Sequence, residues 1–334
     1  MNYIGSKNKL SNFIKSTIYA VAGKDLSNKI FCDIFAGTGI VGRSFKQEVK
    51  KVISNDLEYY SFVLIRNYIG NRQAIAEKNE LIAHLNRIEP KEGFIYTHYC
   101  KGKHGERQYF SDDNGKKIDA IRHQIEYWKK KKAINEDAYY FLLASLIESA
   151  DKVANTASVY GAYLKQIKKS AQKALALAPA DFEFNGHQHE VFNKDSNQLI
   201  QQIEGDILYL DPPYNSRQYG ANYHLLNTIA RYDQFIPKGK TGLRNYNKSK
   251  YCSSTAVQSE FEDLIKNANF KYLFLSYNNE GLMSADHIKK TLSKYGKYDL
   301  ATTNYQRFKA DKDENRKHMA NKTEEYLHIL EKSI

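Results

Sequence analysis

The feature that most constrains this chain is a glycine loop placed between a short apolar segment and a helix. Residues 29–35, KIFCDIF, are apolar and β-rich, as expected of a buried strand, and residues 36–42, AGTGIVG, follow directly. A helical stretch near 40–48 and a second short strand over 52–56 complete the pattern. Strand, helix and strand at this interval predict βαβ units and a parallel sheet, so we expect an α/β protein.

The glycines of this loop suit a bound cofactor. Gly37, Gly39 and Gly42 have the spacing GxGxxG, which permits a sharp turn and lets a ligand approach the backbone closely. Asp56 ends the second strand, 19 residues after Gly37, where an acid commonly accepts hydrogen bonds from ribose hydroxyls. Asp33, at the end of the first strand, is a further candidate. These residues indicate an adenosine-bearing cofactor and leave NAD, FAD and S-adenosylmethionine open.

The rest of the chain indicates an α/β core with an interrupted middle. Residues 71–135 are polar and charged, with 100–117 predicted to be a loop or irregular segment, whereas 134–156 has the periodicity of a long helix. Strand patterns resume at 206–211 and 270–278, and a last strand is predicted over 324–330. The core is therefore expected to contain an insertion of about 100 residues, within the usual size range of a domain.

A second motif follows the strand predicted over 206–211. Asp211, Pro212, Pro213 and Tyr214 lie at the carboxyl end of that strand, the edge at which open α/β sheets bind ligands. Proline has no N–H and a fixed φ, so the two prolines form a stiff corner whose carbonyl groups are free to accept hydrogen bonds. Two acceptors beside the flat ring of Tyr214 suit a planar group with an NH2 donor, such as adenine. A rigid β-turn capped by the acid would use the same residues.

The DPPY corner also fits a definite chemical need. The exocyclic amine of adenine is a weak nucleophile, because its lone pair is delocalised into the ring. Hydrogen bonds from its two N–H groups to Asp211 and to the Pro212 carbonyl would localise that lone pair and align it with a sulfonium methyl group. Placement and electrostatics would then supply most of the rate, and no metal is needed.

Six segments, taken in order, resemble the adenine-specific DNA methyltransferases of the alpha group, which include DNA adenine methylase and many type II modification enzymes. They are NYIGSK, DIFAGTG, NDLE, DPPY, LSYNNEG and EEYLHIL, and residues 71–135 are the least similar part. The resemblance implies an α/β, Rossmann-like class I S-adenosylmethionine-dependent methyltransferase fold. It divides the chain into a catalytic domain, residues 1–70 and 186–334, and a helical and irregular target-recognition insertion, residues 71–185.

The resemblance also assigns residues to the cofactor and the reaction. Its N-terminal motif implies that Tyr3 and Lys7 contact S-adenosylmethionine, with Lys7 near the carboxylate of the cofactor. From spacing alone, Asp195 is a helix N-terminal acid favoured by the helix dipole, whereas the resemblance implies that Phe192 and Asp195 lie against the cofactor adenine. The implied cofactor set is Tyr3, Lys7, Asp33, Phe35, Ala36, Gly37, Gly39, Asp56, Phe192, Asp195 and Asp211. The implied catalytic set is Asp211, Pro212, Pro213 and Tyr214.

The implied substrate is double-stranded DNA, from which the target adenine must be flipped out at a cost of a few kcal/mol. A formal charge of +12, from 50 Lys and Arg against 38 Asp and Glu, favours such a polyanionic partner. Phosphate contacts are expected from Lys129–Lys132 and the loop 238–251, although a lysine run at a helix end is also typical of a solvated surface.

Two further stretches are expected to approach DNA. Residues 217–224, RQYGANYH, are expected to fold over the flipped nucleotide, and 151–165 resembles a family segment whose tyrosines would equally suit helix packing. The predicted DNA-contacting residues are Lys129, Lys130, Lys131, Lys132, Tyr160, Tyr163, Lys165, Arg217, Tyr219, Arg244 and Lys248.

The predicted function is site-specific N6-adenine methylation of DNA, protecting the host in a type II restriction-modification system. The resemblance extends to enzymes for palindromic four-base sites, among which we consider CATG. Alternative methyl acceptors are the N4 amine of cytosine, adenine in RNA and the glutamine amide of a protein. A nicotinamide-dependent oxidoreductase using the GTGIVG loop would leave DPPY unexplained, and an intact DPPY argues against a catalytically silent DNA-binding protein.

The expected surroundings of the protein follow from the same sequence. The first residues lack the apolar region of a signal peptide, and no run approaches the roughly 18 apolar residues of a membrane span. We therefore expect a bacterial cytoplasmic enzyme associated with DNA, with no membrane and no metal. A cognate restriction endonuclease would share its site without necessarily contacting it.

Overall fold

The fold is built around a seven-stranded sheet. The computed structural model describes residues 7–102, 107–306 and 322–333. The strand order across the sheet is β3-β2-β1-β4-β5-β7-β6. This arrangement confirms the predicted α/β, Rossmann-like fold. The strands are β1 (Ile30–Asp33), β2 (Lys51–Asn55), β3 (Glu190–Phe192), β4 (Glu204–Leu210), β5 (Asn269–Asn278), β6 (Gly296–Gln306) and β7 (Lys322–Lys332).

The α-helices of the described residues agree with most of the predicted helical stretches. The helix predicted over 59–69 leaves the α-conformation after Ile65 and continues as a π-helical turn over Arg66–Gly70. The segment 100–117, predicted to be irregular, contains the start of a long helix, which Ser111 caps by accepting from the Asn114 N–H. The helices are α1 (Ser11–Ala22), α2 (Ile40–Phe45), α3 (Tyr59–Ile65), α4 (Lys78–Arg87), α5 (Phe94–Tyr99), α6 (Asp112–Lys130), α7 (Glu136–Lys152), α8 (Ser196–Leu199), α9 (Tyr219–Asn222), α10 (His224–Arg231), α11 (Val257–Asn267) and α12 (Ala285–Leu292).

The sheet is parallel over five strands and antiparallel at one side. Strands β3, β2, β1, β4 and β5 run parallel, and β7 runs antiparallel to both β5 and β6. The βαβ pattern predicted the parallel part only, and β6 was not predicted. The sequence of β6, GKYDLATTNYQ, has no continuous apolar run, as is typical of an edge strand with a single neighbour.

Helices cover both faces of the sheet. On one face, Phe31 of β1 stacks on Phe45 of α2 with the ring centroids 4.4 Å apart. On the other face, the next residue, Cys32, belongs to a buried cluster that includes Phe261 of α11 and Ile288 of α12. Successive residues of a strand point to opposite faces, so burial on both faces explains the continuous apolar runs that predicted these strands.

The described chain divides into two compact units. The sheet unit contains the residues up to Ile65, Asn185–Gln218 and those from Asn247 onwards; the helical unit contains Arg66–Phe184 and Tyr219–Tyr246. Within the helical unit, buried Arg122 of α6 donates to the carbonyls of Ile229 and Ala230 in α10, both at 3.2 Å. These contacts join the stretch 219–246 to α6 within this unit. The predicted division, which assigned that stretch to the catalytic domain, stays a prediction. Recognition of DNA by the helical unit stays a prediction.

Candidate functional site

The parallel strands bring the predicted motifs together at one edge of the sheet. Strand β1 ends at Asp33 and pairs with β4 so that Asp33 lies opposite Tyr209, two residues before Asp211. Strand β2 ends directly before Asp56, and β3 ends at Phe192. Because these strands are parallel, the glycine loop, Asp56 and the DPPY corner all follow carboxyl ends, where open α/β sheets bind ligands.

The glycine loop has the backbone conformation that its sequence requires. Gly37 and Gly39 have φ values of +54° and +79°, in the left-handed region that favours glycine. Asp56 fixes the loop, since its carboxylate accepts the N–H groups of Gly37 and Glu58, both at 2.8 Å. Desolvation nevertheless raises the pKa of Asp56 to about 7. A contact between Asp56 and a ribose stays a prediction.

Asp33 presents an unsatisfied carboxylate oxygen beside this loop. Its Oδ2 accepts the Gly42 N–H at 3.0 Å, whereas its buried Oδ1 has no hydrogen-bond partner among the described residues. Desolvation, together with the carboxylates of Asp211 and Asp56, raises the pKa of Asp33 to about 8. Buried polar atoms are rarely left without a partner, so this oxygen fits a cationic or hydrogen-donating group of a ligand.

The other predicted cofactor residues of the loop are held by their neighbours. The Ala36 N–H donates to the Asn55 carbonyl at 2.9 Å, and the ring of Phe35 meets the ring of Tyr251 edge to face at 5.0 Å. Tyr3 lies outside the described residues. The contacts of Phe35 and Ala36 with a cofactor therefore stay predictions.

Asp195 follows β3 and caps the short helix α8. Its Oδ1 accepts the N–H groups of Asn197 and Gln198 at 3.0 and 3.1 Å. This geometry agrees with the interpretation drawn from spacing alone, in which the acid serves the helix N-terminus. Phe192 is half-buried at the same end of the sheet. The approach of Phe192 and Asp195 to a cofactor adenine stays a prediction.

The DPPY corner forms a hydrogen-bonded cluster around one oxygen of Asp211. The Lys7 ammonium lies 3.1 Å from Asp211 Oδ1, and the Tyr214 hydroxyl donates to the same oxygen at 2.7 Å. Lys7 also donates to the Tyr214 hydroxyl. Desolvation raises the pKa of Asp211, whereas Lys7 and Tyr214 lower it. Lys7, predicted to lie near the cofactor carboxylate, thus contacts the DPPY acid here.

Tyr214 is fixed by β5 and by the loop that follows that strand. Its hydroxyl lies 3.3 Å from the Ser276 hydroxyl, and its ring meets Tyr277 edge to face at 4.9 Å. Its carbonyl accepts the Leu282 N–H at 2.9 Å. Pro212 before it is buried. These contacts hold the half-buried ring in place, and stacking of a base against it stays a prediction.

Two polar residues near this cluster were given no role from the sequence. Ser276 belongs to the segment LSYNNEG and Glu325 to EEYLHIL. Glu325 pairs with Asn278 at the carboxyl end of β5 and is 7% exposed. The signal that could have identified Glu325 is its place two residues before Leu327 and four before Ile329, on the buried face of a strand, because acids are rarely buried without a partner.

The predicted DNA-contacting residues differ in exposure. Lys129–Lys132 end α6 on the surface, and the Lys129 ammonium lies 3.9 Å from the centroid of the Tyr139 ring. Tyr163 and Tyr219 are half-buried, and the exposed candidates are Lys129, Lys130, Lys131, Lys132, Lys165, Arg217 and Lys248. Contacts of these side chains with DNA stay predictions.

Two of the predicted DNA-contacting side chains already have partners within the protein. Tyr160 is fully buried, and its hydroxyl donates to Asp151 at 2.9 Å. The Arg244 side chain is 10% exposed and donates two hydrogen bonds to Asp233, at 2.9 and 2.7 Å, with the guanidinium 5.0 Å from the Phe235 ring centroid. The burial of Tyr160 favours packing, the alternative that its sequence left open, and Arg244 is already paired with a carboxylate; contacts of both residues with DNA stay predictions.

We expect Tyr160→Phe to change stability and not DNA binding. Loss of the hydrogen bond to Asp151 should lower the free energy of unfolding by about 1 kcal/mol, measured by urea denaturation. Tyr127→Phe is the control, because Tyr127 is 55% exposed and its hydroxyl should contribute little. A drop in DNA affinity of more than about tenfold at unchanged stability would restore the DNA contact, since 1.4 kcal/mol corresponds to a factor of ten.

Neither a metal-binding cluster nor a membrane-spanning helix occurs among the described residues. No group of three or more His, Cys, Asp or Glu side chains in the described ranges could hold a metal ion. None of the helices described is long and apolar enough to cross a membrane. The acids of the sheet edge are instead bound by backbone N–H groups, or by Lys7 and Tyr214.

Comparisons with known proteins identify relatives of the whole chain. Residues 3–292 match the family model described as D12 class N6 adenine-specific DNA methyltransferase. The type II methyltransferase M.NlaIII of Neisseria lactamica is 65% identical over 334 residues, 100% of each chain. The type II methyltransferase M.CviAII of Paramecium bursaria Chlorella virus 1 is 40% identical over 335 residues, 99% of this chain and 98% of that one. A solved structure, a putative RNA methyltransferase PH1948 from Pyrococcus horikoshii, aligns over 99% of this chain and 86% of that one, with a TM-score of 0.35 and 10% identity.

Proposed function

Because this chain belongs to the D12 class of N6 adenine-specific DNA methyltransferases, we propose that its sheet edge binds S-adenosylmethionine beside the flipped target adenine. One observation carries the proposal. The glycine loop and the DPPY corner follow neighbouring parallel strands, with Asp33 and Asp211 near enough for their charges to interact. A donor held at the loop and an acceptor held at the corner would then lie side by side.

The chain offers a definite set of groups to the cofactor. S-adenosylmethionine supplies an electrophilic methyl group on a sulfonium. The left-handed glycines carry no side chain that would keep a ligand from the backbone, and the unpartnered Oδ1 of Asp33 suits a cationic or hydrogen-donating group. Asp56 is proposed to accept from the ribose hydroxyls. The family resemblance adds Tyr3, Lys7, Phe35, Ala36, Phe192 and Asp195.

The DPPY corner is proposed to hold and activate the adenine amine. Asp211 accepts one N–H and the Pro212 carbonyl accepts the other, so electron density is concentrated on N6 before it attacks. Tyr214 supplies a flat ring for the extruded base. Bound S-adenosylmethionine would give up its methyl group to N6 and leave as the neutral thioether, so N6 would become cationic and would have to lose a proton. Desolvation favours the protonated form of Asp211, so this carboxylate is placed to accept that proton.

We propose that the enzyme modifies host DNA in the bacterial cytoplasm as the methylase of a type II restriction-modification system. Two relatives, similar over nearly their entire length, bear the name type II methyltransferase. The target-recognition role of the helical unit, the specificity for CATG and the cognate endonuclease belong to the same proposal. Family membership sets aside the oxidoreductase and the catalytically silent alternatives, and it favours adenine over cytosine N4.

The proposed site is tested by sequencing the DNA of cells that express the chain. We expect N6-methyladenine in nearly all CATG sites and in no other sequence context, detected by single-molecule sequencing. DNA from cells expressing the Asp211→Asn variant is the control and should carry no such mark. Methylation at another sequence would refute the CATG assignment, and 4-methylcytosine in the hydrolysed nucleosides would refute the adenine acceptor.

A further inference from the structure

Two donors already occupy one oxygen of the DPPY acid, Asp211 Oδ1. Asp211 Oδ1 is contacted by the Lys7 ammonium at 3.1 Å and by the Tyr214 hydroxyl at 2.7 Å. If the adenine amine engages this oxygen in the role proposed above for Asp211, it competes with both donors for the lone pairs of Oδ1. Displacement of Lys7 frees this oxygen most, because the charged donor makes the stronger of the two hydrogen bonds to the carboxylate.

A displaced Lys7 ammonium needs another acceptor. The Lys7 side chain is 6% exposed, so little water reaches it. Burying a charge without a partner is costly, and removal of one member of a buried ion pair is strongly destabilising. The Tyr214 hydroxyl is a neutral acceptor and offers no compensating charge. Lys7 can therefore leave Asp211 at low cost only if a second carboxylate lies within reach.

Glu325 meets that requirement. It pairs with Asn278 at the end of β5, on the same edge of the sheet as Asp211 at the end of β4. It is 7% exposed, and its buried Oε2 has no hydrogen-bond partner among the described residues. Desolvation raises the pKa of Glu325, the Lys7 charge lowers it, the Asp211 charge raises it, and a hydrogen bond with the Asn278 side chain lowers it, so the charges of Lys7 and Asp211 both act on Glu325.

We propose that Glu325 is a positioning residue that accepts the Lys7 ammonium when the target adenine engages Asp211. The exchange breaks one ion pair and forms another, and no covalent bond changes. It keeps the buried ammonium neutralised throughout, and it releases Asp211 Oδ1 for the amine. Before the base arrives, the Lys7–Asp211 pair holds the carboxylate in place. The inference rests on the proposed role of Asp211.

The test compares Glu325→Gln with Glu324→Gln. Glutamine keeps the shape of the side chain and removes the charge that Lys7 requires. Glu324 is the matched control, because it is the preceding residue of β7, is exposed and accepts from the Tyr326 hydroxyl. We expect Glu325→Gln to lower kcat by about 10- to 100-fold, as for a misplaced catalytic group, and Glu324→Gln to leave it unchanged.

Two further readouts separate positioning from a merely structural role. The midpoint of thermal unfolding and the dissociation constants for cofactor and DNA should be the same for Glu325→Gln as for Glu324→Gln. In a Lys7→Met background, where no ammonium needs an acceptor, Glu325→Gln should slow single-turnover transfer by less than about twofold. If Glu325→Gln slowed transfer in the Lys7→Met background by the same factor as in the wild type, the inference would be overturned.

A conservative variant covers the case in which glutamine weakens the fold. Glu325→Asp keeps the carboxylate and should have a kcat about tenfold above that of Glu325→Gln, since the ion pair can still form. Equal kcat values for the two variants, or a wild-type kcat for Glu325→Gln, would overturn the exchange. If Asp211→Asn remained active, the role of Asp211 itself would fail. An inactive Asp211→Asn with a normal Glu325→Gln would remove only the present inference.

Discussion

Asp211→Asn is expected to lower kcat by at least about 10³-fold, because it removes the charged acceptor that concentrates electron density on N6. Asparagine keeps the shape of the side chain and an oxygen for the Tyr214 hydroxyl. Alanine is expected to be equally inactive, but it would leave the buried Lys7 ammonium without a partner and so confuse activity with stability. The measurement is transfer of a labelled methyl group to unmethylated DNA under single-turnover conditions.

The control for this variant lies on β4, the strand that the DPPY corner follows. Asp206 is the third residue of β4, near the end opposite that corner, and also pairs with a lysine, accepting from Lys29 at 2.9 Å. Asp206→Asn should therefore retain the kcat of the wild type. Binding of S-adenosylmethionine, followed by calorimetry, should change by less than about tenfold in Asp211→Asn, a difference of 1.4 kcal/mol. More than about a tenth of the wild-type kcat in that variant would refute the mechanism.

Neutralising the lysine run at the end of α6 is expected to weaken DNA binding at every sequence. Each lysine that meets a phosphate contributes about 0.9 to the slope of log K against log salt. Replacing Lys129, Lys130, Lys131 and Lys132 by glutamine should therefore lower the magnitude of that slope by about 3 to 4 and the affinity by at least about 10²-fold at low salt. Duplexes with and without the recognition site should lose affinity equally.

A matched pair of lysines controls for total charge. Lys289 and Lys290 end α12 and are exposed, as Lys130 and Lys131 are at the end of α6. The double glutamine variant at 289 and 290 should leave the salt slope unchanged, whereas the double variant at 130 and 131 should lower it by about 2. Equal effects of the two pairs would show that net charge, rather than the end of α6, governs binding.

The parts of the site that were predictable from sequence are those set by local chemistry. Three features depend on residues that are near one another in the chain. They are a glycine at a positive φ, an acid after the next strand and a proline corner after an apolar run. Their position at one edge of the sheet was also predictable, because the carboxyl ends of parallel strands lie at the same edge. The family resemblance rests on the same short motifs, and the match over residues 3–292 confirms it.

The parts that could not be predicted depend on contacts between distant residues. Lys7 and Tyr214 are 207 positions apart, and nothing in either local sequence indicates that they share the Asp211 oxygen. Tyr160 could equally have faced DNA, and only its packing shows that it is buried.

The sequence by itself determined the strands and helices with strong periodicity, the class of the sheet and the chemistry of the DPPY corner. Only the tertiary structure decided that β7 inserts antiparallel between β5 and β6, and that Glu325 thereby reaches the carboxyl edge beside Asp211. The physical reason is that periodicity records which face of an element is buried. The partner that buries it, and the charge that lies opposite, are fixed only when the strands pair.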